Sequence, residues 1–155
     1  MSINKPLVLI LCAGNSCRSQ MAEGFLRKYQ GDKFDVQSAG TQPKEQVHPL
    51  AVEVMAEVGI NISHHRPKSS MNYLGHRPVR HILIVCDKAN MTCPRIWPGA
   101  LTRTYLPFDD PAALEGSDEE KLEGFREVRD EIEQAMRAWS PEKVEPWFAK
   151  RGETH

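Results

Sequence analysis

Apolar residues in this chain gather into short unbroken runs separated by longer amphipathic stretches. Pro6 to Cys12 reads PLVLILC and His81 to Cys86 reads HILIVC. Runs this short and continuous predict strands buried on both faces. Phe34 to Ser38 alternates and predicts another strand, which Ala39-Gly40 turns away. Leu101 to Phe108 predicts a fourth, weaker in pattern and broken by Asp109-Asp110-Pro111. Helical spacing fills the gaps. In SQMAEGFLRKYQG, Ser19 is the expected cap, Met21, Ala22, Phe25 and Leu26 share one face, and Gly31 ends the helix. A second helix is expected from about His48 to Val58, with Leu50, Val54, Met55 and Val58 inward and Gly59 as its stop. A third covers 117–139, capped by Ser117, with Leu122, Phe125, Val128, Ile132 and Met136 recurring at helical spacing. Residues 61–79 are mixed and basic and predict a solvated loop, with a short helical turn around Ser69 to Leu74. Beyond Pro141, Val144, Trp147 and Phe148 suggest one further amphipathic turn.

The order β-α-β-α-β-β-α predicts an α/β fold, a three-layer sandwich around a four-stranded parallel sheet. Residues 1–155 fit one domain, with a core of about 6–139 and a tail of 140–155. Right-handed crossovers place every loop that follows a strand on one edge, where ligands of such sheets bind. Cys12, Cys86 and Asp109-Asp110 each come just after an apolar strand. Three chemically capable groups from distant segments therefore converge on one rim.

Composition narrows the function by exclusion. The 155 residues carry a formal net charge of −1, so no overall field draws the protein to nucleic acid or to an anionic membrane. The longest apolar run, Leu7 to Ala13, falls far short of the roughly 20 residues of a membrane-crossing helix. It also lacks the basic flank and small-residue cleavage site of a secretory leader. A cytoplasmic location is expected, where thiols stay reduced. The 4 cysteines then fall into two pairs, Cys12/Cys17 and Cys86/Cys93, suited to catalysis, redox chemistry or metal binding. Their internal gaps fit common zinc spacings poorly, and no metal or other cofactor is expected.

The segment Cys12-Ala13-Gly14-Asn15-Ser16-Cys17-Arg18-Ser19 links a strand to a helix with the spacing of an anion-binding nucleophile loop. Its backbone amides can form a nest, the helix start adds positive potential, and Arg18 can grip two oxygens in a fork. In that field the Cys12 thiol is expected to lose its proton near neutral pH, with Ser19 donating to the thiolate. Asn15 suits the left-handed backbone such a cradle needs. Ala13, Gly14, Asn15, Ser16, Cys17 and Arg18 are thus the expected substrate-binding residues.

The string LCAGNSCRSQMAEG resembles the signature of low-molecular-weight tyrosine phosphatases, and within that fold the thioredoxin-coupled arsenate reductases. Val36-Gln37-Ser38-Ala39-Gly40, Gly59-Ile60-Asn61-Ile62-Ser63, the Cys86 to Cys93 segment and Phe108-Asp109-Asp110-Pro111-Ala112 extend the resemblance over about 6–138. The resemblance implies a Cys12 nucleophile and an Asp110 proton donor. It also implies a relay in which Cys86 attacks Cys12, Cys93 attacks Cys86, and thioredoxin reduces the last disulfide. The implied substrate is arsenate, with phosphate or sulfate as mimics. The same fold also implies an alternative, tyrosine phosphatase activity through Cys12, Arg18 and Asp110. Against it, Pro111 is followed by Ala112 and Ala113, which offer no aromatic platform. A non-catalytic oxyanion-binding module is a third reading. Several reductases of the family hold potassium through positions matching Asn15, Glu23, Ser38 and a carboxylate. Lys68 stands at the carboxylate position, so its ammonium is expected to replace the ion and pair with Glu23. Ala13 replaces a threonine common in relatives, which leaves the activation of Cys86 open.

Overall fold

The structure, a computed structural model, describes residues 5–74, 76–87, 89 and 99–143. The elements run β1 (Leu7–Cys12), α1 (Arg18–Gln30), β2 (Asp35–Gly40), α2 (Pro49–Glu57), β3 (Val79–Ile84), β4 (Thr102–Tyr105) and α3 (Asp118–Ala138). Single 3-10 turns lie at Ser70–Asn72, Pro111–Ala113 and Pro141–Lys143. The strands form one parallel sheet in the order β2-β1-β3-β4. Every residue of β1 is buried, as its unbroken apolar run requires of a central strand. Each fully buried side chain such as Leu9, Ile10 or Leu11 contributes about 1.5–3 kcal/mol. Among the described residues no helix is long and apolar enough to cross a membrane.

Helix α1 packs on β1 and β2, and α3 packs on α1 and α2. Ser117 caps α3 as expected, its Oγ accepting from Glu120 N while Glu120 Oε1 accepts from Ser117 N, each at 3.1 Å. Arg129 is buried beside Phe125, Val128 and Ile132, and donates to Val54 O at 3.1 Å and to Glu57 Oε1 at 2.7 Å, tying α3 to the end of α2.

Three expectations are corrected. Ala39 and Gly40 do not turn out of β2 but complete it, paired with Leu11 and Cys12 of β1. Ser19 is not the cap of α1: the helix begins at Arg18, and Cys17 at the cap position makes no side-chain cap bond. A capping side chain would occupy amides that here stay open, and Ser19 Oγ instead accepts from Asn15 Nδ2 at 2.8 Å. β4 is shorter than Leu101 to Phe108, because Pro107 has no amide to donate and the chain leaves the sheet there. The Leu106 and Phe108 amides still reach Ile84 O and Val85 O. This exit carries the Phe108 carbonyl and Asp110 to the rim.

Candidate active site

The rim assembles as the pattern requires. Cys12, Arg18, Cys86, Lys44, Asp109 and Asp110 are among the residues lining one cavity of about 560 Å³ at the carboxyl ends of the strands. Its floor is the 12–18 loop, and the loop's carbonyls explain its shape. Cys12 O accepts from Thr41 N at 3.1 Å, Ala13 O from Gln42 N at 2.8 Å, and Gly14 O from Lys44 N at 2.9 Å. Ser16 O accepts from His48 N and Cys17 O from Met21 N, both at 2.9 Å. Gln20 Nε2 donates to Asn15 O at 3.1 Å. Six successive carbonyls are thus held outward, four of them by the strap 41–48 that follows β2. The amides of Gly14, Asn15, Ser16, Cys17 and Arg18 have no protein acceptor among the described residues. Buried amides left this way need an acceptor, and a tetrahedral oxyanion supplies several. Gly40 permits the strap's approach: a Cβ there would lie 2.5 Å from Ala13 O.

Asn15 holds the loop from behind. Its φ is 51°, the left-handed backbone expected of it, and its side chain is fully buried. Nδ2 donates to Ser19 Oγ at 2.8 Å and to Ser38 Oγ at 2.9 Å. Oδ1 accepts from Lys68 N at 2.8 Å and Gln20 Nε2 at 3.1 Å. The network continues from Ser38 Oγ, which donates to Glu23 Oε1 at 2.6 Å. Glu23 is 3% exposed and already meets two cations, Arg27 Nη2 at 2.7 Å and Lys68 Nζ at 3.7 Å. A potassium ion does not fit this donor set, because an ammonium and a guanidinium hold the only carboxylate. Behind them, His65 Nδ1 meets Gln20 Oε1 at 2.9 Å, and burial keeps that imidazole below its ordinary pKa.

Arg18 lies across the cavity. Its Nη1 donates to Phe108 O at 3.0 Å, and Nη2 stands 3.6 Å from Asp110 Oδ2. Its Nε is buried with no partner among the described residues. Asp110 is fixed by the turn it starts, with Oδ1 accepting from Ala112 N at 3.0 Å and a side chain 42% exposed to the cavity mouth.

The cysteines give the main departure from expectation. Cys86 Sγ accepts from Ala13 N at 3.2 Å and from Ala89 N at 3.4 Å. Two backbone amides therefore serve it where a threonine hydroxyl is absent. The Cys86 thiol is the leading reason the Cys12 pKa is raised rather than lowered; burial adds to this and Arg18 opposes it. The Cys12 thiol in turn draws Cys86 down to about 6, against burial and with help from the Ala89 and Ala13 amides. The two thiols titrate as a pair that shares one negative charge. Burial pushes the Cys17 thiol up to about 11, so Cys17 is a neutral wall of the loop. Cys93 lies outside the described residues. Sequence reasoning missed the strap and Lys44; only the run of polar residues after Gly40 marked that segment, and nothing in it signals contact with residues 13–16.

A cysteine at the start of a loop whose amides face inward, with a guanidinium at its end, defines a thiol enzyme acting on tetrahedral oxyanions. The low molecular weight phosphotyrosine protein phosphatase family matches residues 7–146, and the chain belongs to that family. It is similar to the arsenate reductase of Halalkalibacterium halodurans, 43% identical over 89% of this chain and 97% of the relative. Among solved structures it is similar to an arsenate reductase in the phosphate-binding state, with a TM-score of 0.65 and 31% identity over 84% of this chain and 93% of the other. It also resembles a thioredoxin-dependent arsenate reductase of Corynebacterium glutamicum, with a TM-score of 0.58 and 29% identity over 88% of this chain and 64% of the other.

Proposed function

We propose that the protein reduces arsenate to arsenite, with thioredoxin as the electron donor. One observation favours this over phosphate-ester hydrolysis: a second sulfur, Cys86, is hydrogen-bonded into the oxyanion loop at 3.2 Å from Ala13 N. Hydrolysis has no use for it, whereas reduction of As(V) by two electrons needs a second thiol.

Arsenate enters with its oxygens toward the loop amides and Arg18. The proton shared by the two thiols rests on Cys86 as Cys12 attacks. Cys12 Sγ bonds to arsenic as an As–O bond breaks, and Asp110 protonates the departing oxygen to give water. Cys86, held by the Ala13 and Ala89 amides, then loses its proton and attacks Cys12 Sγ. The S–As bond breaks, and its electron pair stays on arsenic, now As(III). Two thiolates have become the Cys12–Cys86 disulfide. Cys93 next attacks Cys86 and frees Cys12, and a thioredoxin dithiol reduces the Cys86–Cys93 disulfide. The cycle requires free thiols, which a reducing cytoplasm would maintain.

The test is Cys86→Ser, assayed for arsenite formation with thioredoxin, thioredoxin reductase and NADPH, and in parallel for p-nitrophenyl phosphate hydrolysis. Arsenite formation should vanish while any hydrolysis persists. Arsenate reduction by the variant at the wild-type rate would overturn the relay.

A further inference from the structure

We infer that Lys44 is a substrate-binding residue, a second cation at the mouth of the oxyanion cavity that draws in inorganic dianions. The inference rests on the oxyanion site proposed above but not on the redox step.

Three observations carry it. First, the strap fixes Lys44 at the loop: its amide donates to Gly14 O at 2.9 Å. Its stem lies so close over Gly14 that a Cβ there would be 3.1–3.3 Å from Lys44 Cγ, Cδ and Cε. The absence of a side chain at Gly14 is what lets the lysine lie there. Second, among the described residues that line the cavity, three carboxylates, Asp87, Asp109 and Asp110, stand against two cations, Arg18 and Lys44. Arg18 on the floor also meets Phe108 O and Asp110. Without Lys44 a dianion would approach an acidic mouth within the screening distance of about 8 Å that holds at physiological salt. Third, the positive charge is felt inside the site. Lys44 lowers the Cys17 thiol pKa against the dominant effect of burial, and holds down that of His48. Lys44 forms no ion pair among the described residues, so its charge is not neutralised by a fixed partner.

A cation placed so acts on the charge of the whole ion rather than on the bond that breaks. Its effect belongs in affinity and encounter rate, not in the chemical step. An inorganic dianion gains most, because no organic group separates its oxygens from the ammonium.

Lys44→Met and Lys44→Arg test this in the full-length reduced protein, since Met keeps the stem over Gly14 and Arg keeps the charge. Binding of inorganic phosphate is measured by calorimetry, and arsenate reduction by steady-state kinetics, each at low and high salt. Lys44→Met should weaken phosphate and raise KM for arsenate about tenfold at low salt, with kcat within about twofold of wild type. Lys44→Arg should match wild type. At 1 M salt, where screening acts over about 3 Å, the Lys44→Met defect should shrink to about twofold or less. Unchanged phosphate affinity in Lys44→Met, an equal defect in Lys44→Arg, or a defect indifferent to salt would each overturn the assignment. If the wild type binds phosphate in a Lys44-dependent way but makes no arsenite, the reductase reading fails and the role of Lys44 stands.

Discussion

Asn15 offers the sharpest test of how the loop is held. Its side chain makes four hydrogen bonds, buried ones to Ser19, Ser38 and Gln20 and a part-buried one to Lys68 N, from a backbone at φ 51°. Asn15→Ala removes all four. The Lys68 amide loses its acceptor, and Ser19 and Ser38 lose the amide that joins them. Stranding two such groups costs about 1–3 kcal/mol each. A Cβ-bearing residue other than Asn at positive φ adds about 1–2 kcal/mol. The sum is about 3–8 kcal/mol, which at about 2–4 °C per kcal/mol for a chain of this length lowers Tm by about 6–32 °C. Asn15→Gly separates the two causes. It loses the same bonds but keeps the backbone unstrained, so it should be about 1 kcal/mol more stable than Asn15→Ala. Thermal and urea unfolding of the three proteins, with phosphate affinity measured beside them, checks both parts. An Asn15→Ala protein within about 0.5 kcal/mol of wild type would refute the account of the network. Equal stability of the Gly and Ala variants would refute the strain assigned to φ.

Two further outcomes follow from the buried charges. Burial holds His81 below its ordinary pKa of 6.5, so the folded protein keeps it neutral where the unfolded chain takes up a proton. Its contribution is complete above pH 6.5 and is lost as the pH falls from there through the folded value. In urea unfolding, His81→Gln should therefore show a shallower loss of stability below pH 6.5 than wild type; parallel profiles would contradict this. The second concerns salt identity. With Lys68 and Arg27 holding Glu23, replacing NaCl by KCl at equal ionic strength should leave arsenate turnover and Tm unchanged, and marked stimulation by potassium would show that the ion displaces Lys68.

The sheet was legible because its strands are short unbroken apolar runs: β1 and β3 could be read from residues 6–12 and 81–86 within two residues at either end. The catalytic rim followed from topology, since parallel strands deliver their following loops to one edge. What could not be read was anything decided by contact between distant backbones. The start of α1 depends on amides kept open for an anion, so cap preference pointed to Ser19, where tertiary need places Cys17. Arg129 breaks the apolar stripe of α3 as a solvated residue would, yet it is buried because Val54 O and Glu57 lie opposite. The strap 41–48 has no periodicity of its own and gains its shape by hydrogen-bonding the loop. The coupling of Cys12 to Cys86 was hidden for the same reason. The positive field of the loop is local and readable, but the sulfur of Cys86 arrives from 74 residues away.

That coupling bears on the proposed mechanism. A loop holding a free thiolate would present a negative sulfur to an incoming dianion, and their repulsion would oppose binding in the place where arsenic and sulfur must meet. If the shared proton rests on Cys12 as the dianion enters, the cradle offers amides, Arg18 and a neutral thiol to the substrate. Once the anion occupies the amides, the proton passes to Cys86 and the nucleophile forms beside bound arsenic. Cys86 is then neutral during the first displacement and ionises again for the second, held by the Ala13 and Ala89 amides. One shared proton thus orders the two steps: the resolving sulfur is least nucleophilic while Cys12 attacks, and regains its charge when the arsenic adduct is ready to be cleaved.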